Sequence, residues 1–430
     1  MSTAPQRAAR VAADTPDEQN EWLDEQTAHD AELADAMATY DVTHAADKVP
    51  HVLAEQSQRT TTSAHTQGVV MQGRNKWTAM ILAVGIVGSL AACGSGSSDD
   101  ESQVVGVALP TKEQARWVAD GDNLKKQFTS LGYDVEMLYA GDDAAAQADQ
   151  IQKLIDDGAD ALVVGAVDGT ALKAVLANAA SEDIPVIAYD RLIRDSGDID
   201  YYASFNNFQV GVMEGRALLA GMGVIDASGK PTGRTGVNIE VFAGSPDDNN
   251  ATFFYDGAMS VVRPFIDAGV ISVPSGQVER LDVAIQGWKN DVAGQRMTTL
   301  LAPYQAGKHL DGVLAPNDGI AQAIIGAVKP ALGYVPAVPG QDAEIPAIKS
   351  IAAGEQIATV YKDTRTLAEV TVGMVRELLK GNEPEINDTT SYDNGVKVVP
   401  SYLLTPQMVT KDNYKHVLVD GGYYTEAEIG

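Results

Sequence analysis

From residue 104 onward the chain alternates short apolar runs with amphipathic stretches. Residues 104–109, 135–139, 161–164 and 185–188 are apolar over strand length, and between them 115–131, 144–155 and 171–180 place apolar residues at helical spacing. Strands of this character need cover on both faces, which predicts βαβ units and a parallel sheet. The rhythm restarts downstream with strands at 237–242, 310–314 and 357–361 and helices between them. The pattern predicts an α/β chain of two doubly wound, Rossmann-like lobes.

A different apolar run lies upstream. Residues 77–90 follow Arg74 and Lys76 and lead into Leu90-Ala91-Ala92-Cys93, where Cys93 is the sole cysteine of the chain. A cationic start, a short apolar middle and small residues before a cut are the parts of a secretory signal. The run falls short of the ~18 apolar residues of a membrane-spanning helix, and one cysteine excludes an internal disulfide. The arrangement resembles a bacterial lipoprotein signal, which implies lipidation of Cys93, a membrane anchor and an extracytoplasmic location. Residues 71–92 are then the signal peptide and 93–102, rich in Gly, Ser and Asp, a flexible tether. Residues 1–70 have few large apolar groups and are expected to be disordered. Met71 stands where a signal should begin, so 1–70 reads as a mis-called extension, with a cytoplasmic tail removed together with the signal as the alternative.

The acidic balance, 59 Asp plus Glu against 31 Lys plus Arg, argues against nucleic acid and against an electrostatic hold on anionic lipid. Function in open α/β sheets gathers beyond the carboxyl ends of the strands. The residues there are Arg116 and Trp117, Asp190-Arg191, Asn206-Asn207, Asp247-Asp248-Asn249-Asn250, Asn317-Asp318, Gln341-Asp342 and Lys362-Asp363. Amides, carboxylates and guanidinium groups suit a sugar, whose hydroxyls both donate and accept. Trp117 and Trp288 are the only tryptophans after Cys93 and have polar neighbours in sequence, so both are expected at loop mouths, stacking on a ring rather than filling a core. The run 247–250 also suits a helix N-cap ahead of 251–262, and one residue can cap while its neighbours face a ligand.

At these residues the chain resembles the type I periplasmic sugar-binding proteins of ABC importers, most closely the multiple-monosaccharide and xylose-binding group. The matching stretches are 109–117, 188–193, 244–250, 340–344, 361–365 and 398–404, so the resemblance covers essentially the whole region after Cys93. It implies a monosaccharide ligand, an aldopyranose such as galactose, glucose, arabinose or xylose, delivered to an ABC importer permease by a monomer without a cofactor. Arg116, Asp190 and Arg191 would bind hydroxyls from the first lobe. Asp247, Asn249 or Asn250, Asn317 and Asp342 would do so from the second, with Lys362 at the hinge and Trp117 and Trp288 sandwiching the ring. The lobes implied are 103–206 plus 364–394 and 207–363 plus 395–430, closing on the sugar about crossings near 205–208, 362–364 and 392–398.

Other function classes fit less well. Adjacent carboxylates such as Asp247 and Asp248 diverge and lack the second partner of a glycosidase. His309 and His416, the histidines after Cys93, have neither metal-ligand nor triad spacing, so no catalysis and no metal are expected. A sugar-responsive repressor would share the fold, but no basic helix-turn-helix segment precedes residue 104. A sensor that presents the sugar-loaded protein to a membrane receptor is the alternative role.

Overall fold

The computed structural model describes residues 102–430. The signal peptide, Cys93, the tether up to residue 101 and the N-terminal extension lie outside the described residues. In chain order the elements are β1 (Val104–Leu109), α1 (Ala115–Ser130), β2 (Asp134–Tyr139), α2 (Ala144–Asp156), β3 (Ala161–Val164), α3 (Lys173–Ser181), β4 (Val186–Tyr189), β5 (Tyr201–Phe205) and α4 (Asn207–Gly221). There follow β6 (Val237–Val241), α5 (Asn249–Asp267), β7 (Ile271–Ser272), a 3-10 turn (Gln286–Trp288), α6 (Asn290–Leu300), α7 (Ala302–Gln305), β8 (Gly312–Leu314), α8 (Asp318–Leu332), α9 (Ile345–Ala353) and β9 (Ala358–Tyr361). The last elements are α10 (Thr364–Leu379), β10 (Ser401–Leu404), β11 (Gln407–Thr410), a π-helical turn (Lys415–Asp420) and α11 (Glu426–Ile429).

The described chain divides into two compact units, residues 102–204 with Thr364–Leu403 and Phe205–Asp363 with Leu404–Gly430. The first holds a six-stranded sheet in the order β10-β5-β4-β3-β1-β2. β1 pairs in parallel with both β2 and β3, so the winding reverses between β1 and β3 and leaves a crevice at their carboxyl ends. Val107, Leu162 and Ile187 on its central strands are fully buried, as strands covered on both faces require. α10 returns to this unit and packs on α1, where Asn123 donates to Thr364 Oγ1 at 3.1 Å and Gln127 to the Arg365 carbonyl at 3.0 Å.

The second unit repeats the plan with β7-β6-β8 in parallel, while β9 pairs antiparallel with β11. Its core lines both faces of β6 and β8, with Val241, Val313, Ile320 and Ile324 among the buried residues. The third boundary between units falls between Leu403 and Leu404, later than the expected crossing at 392–398. Residues 392–398 instead form a turn closed by a bridge between Asp393 and Val398, and β10 then joins β5 as the edge strand of the first sheet. An apolar four-residue strand is worth more paired in a sheet than spent as a linker, which is why the crossing waits until the strand is complete.

Candidate functional site

In the first unit the switch point between β1 and β3 is furnished by α1 and by the turn after β4. Arg116 lies in the first turn of α1 and pairs through Nη2 with Asp190 Oδ2, and its Nε lies 3.4 Å from Asp120 Oδ2. Asp120 is fully buried and also accepts from the Tyr189 hydroxyl at 2.5 Å. Burial, then the Asp120 charge, pushes the Tyr189 hydroxyl well above the usual tyrosine range, so it stays a donor. Asp190 has a left-handed backbone, φ 61°, held because its carbonyl accepts from the hydroxyls of Tyr202 at 2.6 Å and Ser204 at 2.9 Å. Holding an aspartate there costs of order 1–3 kcal/mol.

Arg191 donates from Nη1 to the Ala166 carbonyl at 3.1 Å. The loop that offers this carbonyl is braced by Gln147 of α2, which donates to the Gly165 carbonyl at 2.8 Å and accepts from the Val167 amide at 2.7 Å. Trp117 is 2 % exposed on the buried face of α1. It packs against Gly165, with the guanidinium carbons of Arg116 and Arg191 at 5.5 and 5.3 Å from its ring centroid. The loop-mouth expectation for this residue is therefore corrected: Trp117, Gly121, Leu124 and Phe128 recur at helical spacing and are all buried.

In the second unit the run 247–250 opens α5. Asp248 is its N-cap, accepting from the Asn250 amide at 2.9 Å through Oδ1, while its Oδ2 accepts from Trp288 Nε1 at 3.2 Å. Asn250 is 2 % exposed, and Asn249 Nδ2 is buried with no hydrogen-bond partner among the described residues. Asp247 accepts from Gln286 at 2.7 Å and the Gly287 amide donates to Ser245 at 2.7 Å, which fasten the 3-10 turn to this segment. Trp288 thus stands in a turn, as expected, but its indole is 7 % exposed, set edge-on to Phe254 at 6.3 Å. A Cβ on Gly244 would lie 2.1 Å from the indole, so only glycine permits this seat.

Asn317 caps α8 through Oδ1, accepting from the Ile320 amide at 3.0 Å. Asp342 and Ala343 both have left-handed backbones, φ 96° and 52°. Asp342 Oδ1 pairs with Lys362 Nζ at 2.9 Å, and the ammonium also lies 5.2 Å from the centroid of Phe254. The Asp342 and Lys362 side chains are 11 % and 3 % exposed, a buried pair that gains from close geometry. Nearby carboxyls respond: burial, then Asp342 and Glu344, pushes Asp318 well above the usual range, although donors from Gln356 and the Glu344 amide act the other way. Burial likewise raises Glu214, whose Oε1 has no hydrogen-bond partner among the described residues.

The structure therefore gathers Arg116, Trp117, Asp190 and Arg191 in the first unit, and Asp342 with Lys362 and the 247–250 segment with Trp288 in the second. Sequence reasoning missed Asp120, Gln147 and Tyr202 behind the first set; in the second it placed Asp248 and Asp318 at strand ends without assigning Asp318 the contacts it makes. A buried polar residue within a predicted helix, as at Asp120 and Gln147, is the signal that marks such supports. Among the described residues no cluster of His, Cys, Asp or Glu could hold a metal ion, and no helix is long and apolar enough to cross a membrane.

Residues 105–383 match the model of a periplasmic binding protein domain. The chain belongs to the periplasmic binding protein family. This binding protein is 51 % identical over 326 residues to the multiple sugar-binding periplasmic receptor ChvE of Rhizobium radiobacter, covering 74 % of this chain and 90 % of that one. It is 37 % identical over 326 residues to the D-xylose-binding periplasmic protein of Escherichia coli K12, with 76 % and 92 % covered. A solved ABC transporter solute-binding protein from Clostridium phytofermentans with bound β-D-glucose is 43 % identical, superimposes with a TM-score of 0.73, and is covered in full by 76 % of this chain. The type I periplasmic binding fold follows from these likenesses, and the family is one of binding and transport proteins rather than enzymes.

Proposed function

We propose that this binding protein captures a monosaccharide and passes it to an ABC importer. One observation carries the reading. Each unit presents, at the carboxyl ends of its strands, a buried ion pair beside aromatic rings: Arg116–Asp190 with Trp117, and Lys362–Asp342 with Phe254 and Trp288. Paired charges are oriented donors and acceptors for neighbouring hydroxyls, and ring faces suit the C–H face of a pyranose. Asn249 Nδ2, buried and without a hydrogen-bond partner among the described residues, is a further donor for a ligand oxygen. The names of the relatives, which include multiple-sugar, xylose and glucose binders, support an aldopyranose.

Sugar held by groups of both units favours a closed form, and that population shift would signal loading to the permease. Cys93, lipidated after cleavage of the signal, would tether a monomer to the outer face of the membrane. A thermal-shift screen with D-glucose, D-xylose, D-galactose and L-arabinose tests the binding step. A sugar at one hundred times its Kd should add about 2.7 kcal/mol to stability, and Asp190→Ala should abolish the shift. Absence of a shift with every sugar would refute the reading.

A further inference from the structure

We propose that Asp318 is a positioning residue: its carboxyl fixes the turn at 341–344 so that Asp342 is set against Lys362, ready for a sugar hydroxyl. The inference rests on the sugar-binding reading. Asp318, the first residue of α8, is fully buried and lies beside the Asn317 cap. Its Oδ2 accepts from the Glu344 amide at 2.9 Å and from the Thr359 hydroxyl at 2.9 Å, and its Oδ1 accepts from Gln356 Nε2 at 2.7 Å. The Thr359 oxygen in turn accepts from the Ala343 amide at 3.1 Å. The Asp318 amide donates to the Gln341 carbonyl at 3.0 Å, so one residue grips the turn at both ends.

The turn needs that grip. Asp342 and Ala343 are consecutive left-handed residues without glycine's freedom, a conformation that persists only where its surroundings over-determine it. Gly340 lets the carboxyl approach, since a Cβ there would lie 2.3 Å from Asp318 Oδ1. The Asp342 side chain leaves this turn to meet Lys362 at 2.9 Å, while its amide donates to the Val360 carbonyl at 2.9 Å on β9, the strand that leads to the lysine.

The test is a double-mutant cycle on the full chain, with D-glucose and D-xylose as titrants in calorimetry. Asp318→Ala should weaken binding at least tenfold, and Asp318→Asn, which keeps the shape and one acceptor, should recover most of that loss. Asp318→Ala combined with Asp342→Ala should bind no more weakly than Asp342→Ala alone, whereas its loss should multiply with that of the milder Asp190→Asn in the other unit. Losses that multiply with Asp342→Ala, or Asp318→Ala binding within twofold of wild type, would overturn the proposal. Amide hydrogen exchange supplies a readout that needs no sugar. In Asp318→Ala, exchange at Ala343 and Glu344 should rise at least tenfold with the β6 amides unchanged. A uniform rise across the unit would mean a merely structural role. If wild type binds neither these two sugars nor D-galactose nor L-arabinose the sugar-binding reading fails, and the exchange pattern still decides whether Asp318 holds the turn.

Discussion

Glu344→Gln should make the protein more stable at neutral pH and change nothing in acid. Burial, then the Asp342 charge, raises the Glu344 carboxyl from 4.5 to about 7. Between those values the folded chain keeps a proton that the unfolded chain releases, so wild-type stability falls as pH rises through the window and levels off above it. At about 1.36 kcal/mol per pH unit, the full window is worth roughly 3 kcal/mol. Glu344 is partly exposed and screened, so roughly half of that, about 1.5 kcal/mol, is the expected effect. Glutamine has the same shape and no charge, and so removes the dependence. Urea unfolding at pH 3.5, 5, 6, 7 and 8 should give curves that coincide at pH 3.5, begin to part by pH 5 and separate by about 1.5 kcal/mol in favour of the variant by pH 8, with unchanged slope. A difference that stays constant across this range, or grows in favour of wild type, would refute the assignment of the raised carboxyl to Glu344.

Two further outcomes follow from the packing. Gly244→Ala places a methyl 2.1 Å from the Trp288 indole and should cost about 1–3 kcal/mol, read as a lowered melting temperature with a red shift of tryptophan emission; an unchanged melting temperature would contradict the close seat. Glu214 lines a small cavity with Phe242, Phe254 and Leu314, and burial pushes its carboxyl well above the usual range although Lys362 acts the other way, so Glu214→Gln should lie within about 1 kcal/mol of wild type at pH 7 by chemical denaturation. A loss of several kcal/mol would mean that the charged form is the one the fold requires.

The central strands were legible because they are buried apolar runs: the expected strands at 104–109 and 161–164 coincide with β1 and β3 to the residue. The Asx-rich run at 247–250 was legible as a cap for a related reason, since capping is a local contact, and Asp248 performs it. The surroundings of the tryptophans were not. Neighbours in sequence were polar, yet on a helix the neighbours that matter stand three and four residues away, and those place Trp117 on the buried face of α1. The partners of Asp318 were equally hidden, because Gln356 and Thr359 come from distant positions and no short window contains them. The third crossing between units was misplaced because pairing of β10 with β5 is a contact between remote segments.

That pairing has a consequence for biosynthesis. The first unit lacks α10 and β10 until Phe205–Asp363, the whole central part of the other unit, has been made. At about 5–20 residues per second the delay until β10 is complete is on the order of ten to forty seconds. Throughout it β5 is an open sheet edge, the kind of template on which unfinished chains pair with one another. The strand that closes this edge is therefore the last part of the first sheet to be made, complete only when residue 404 has been added.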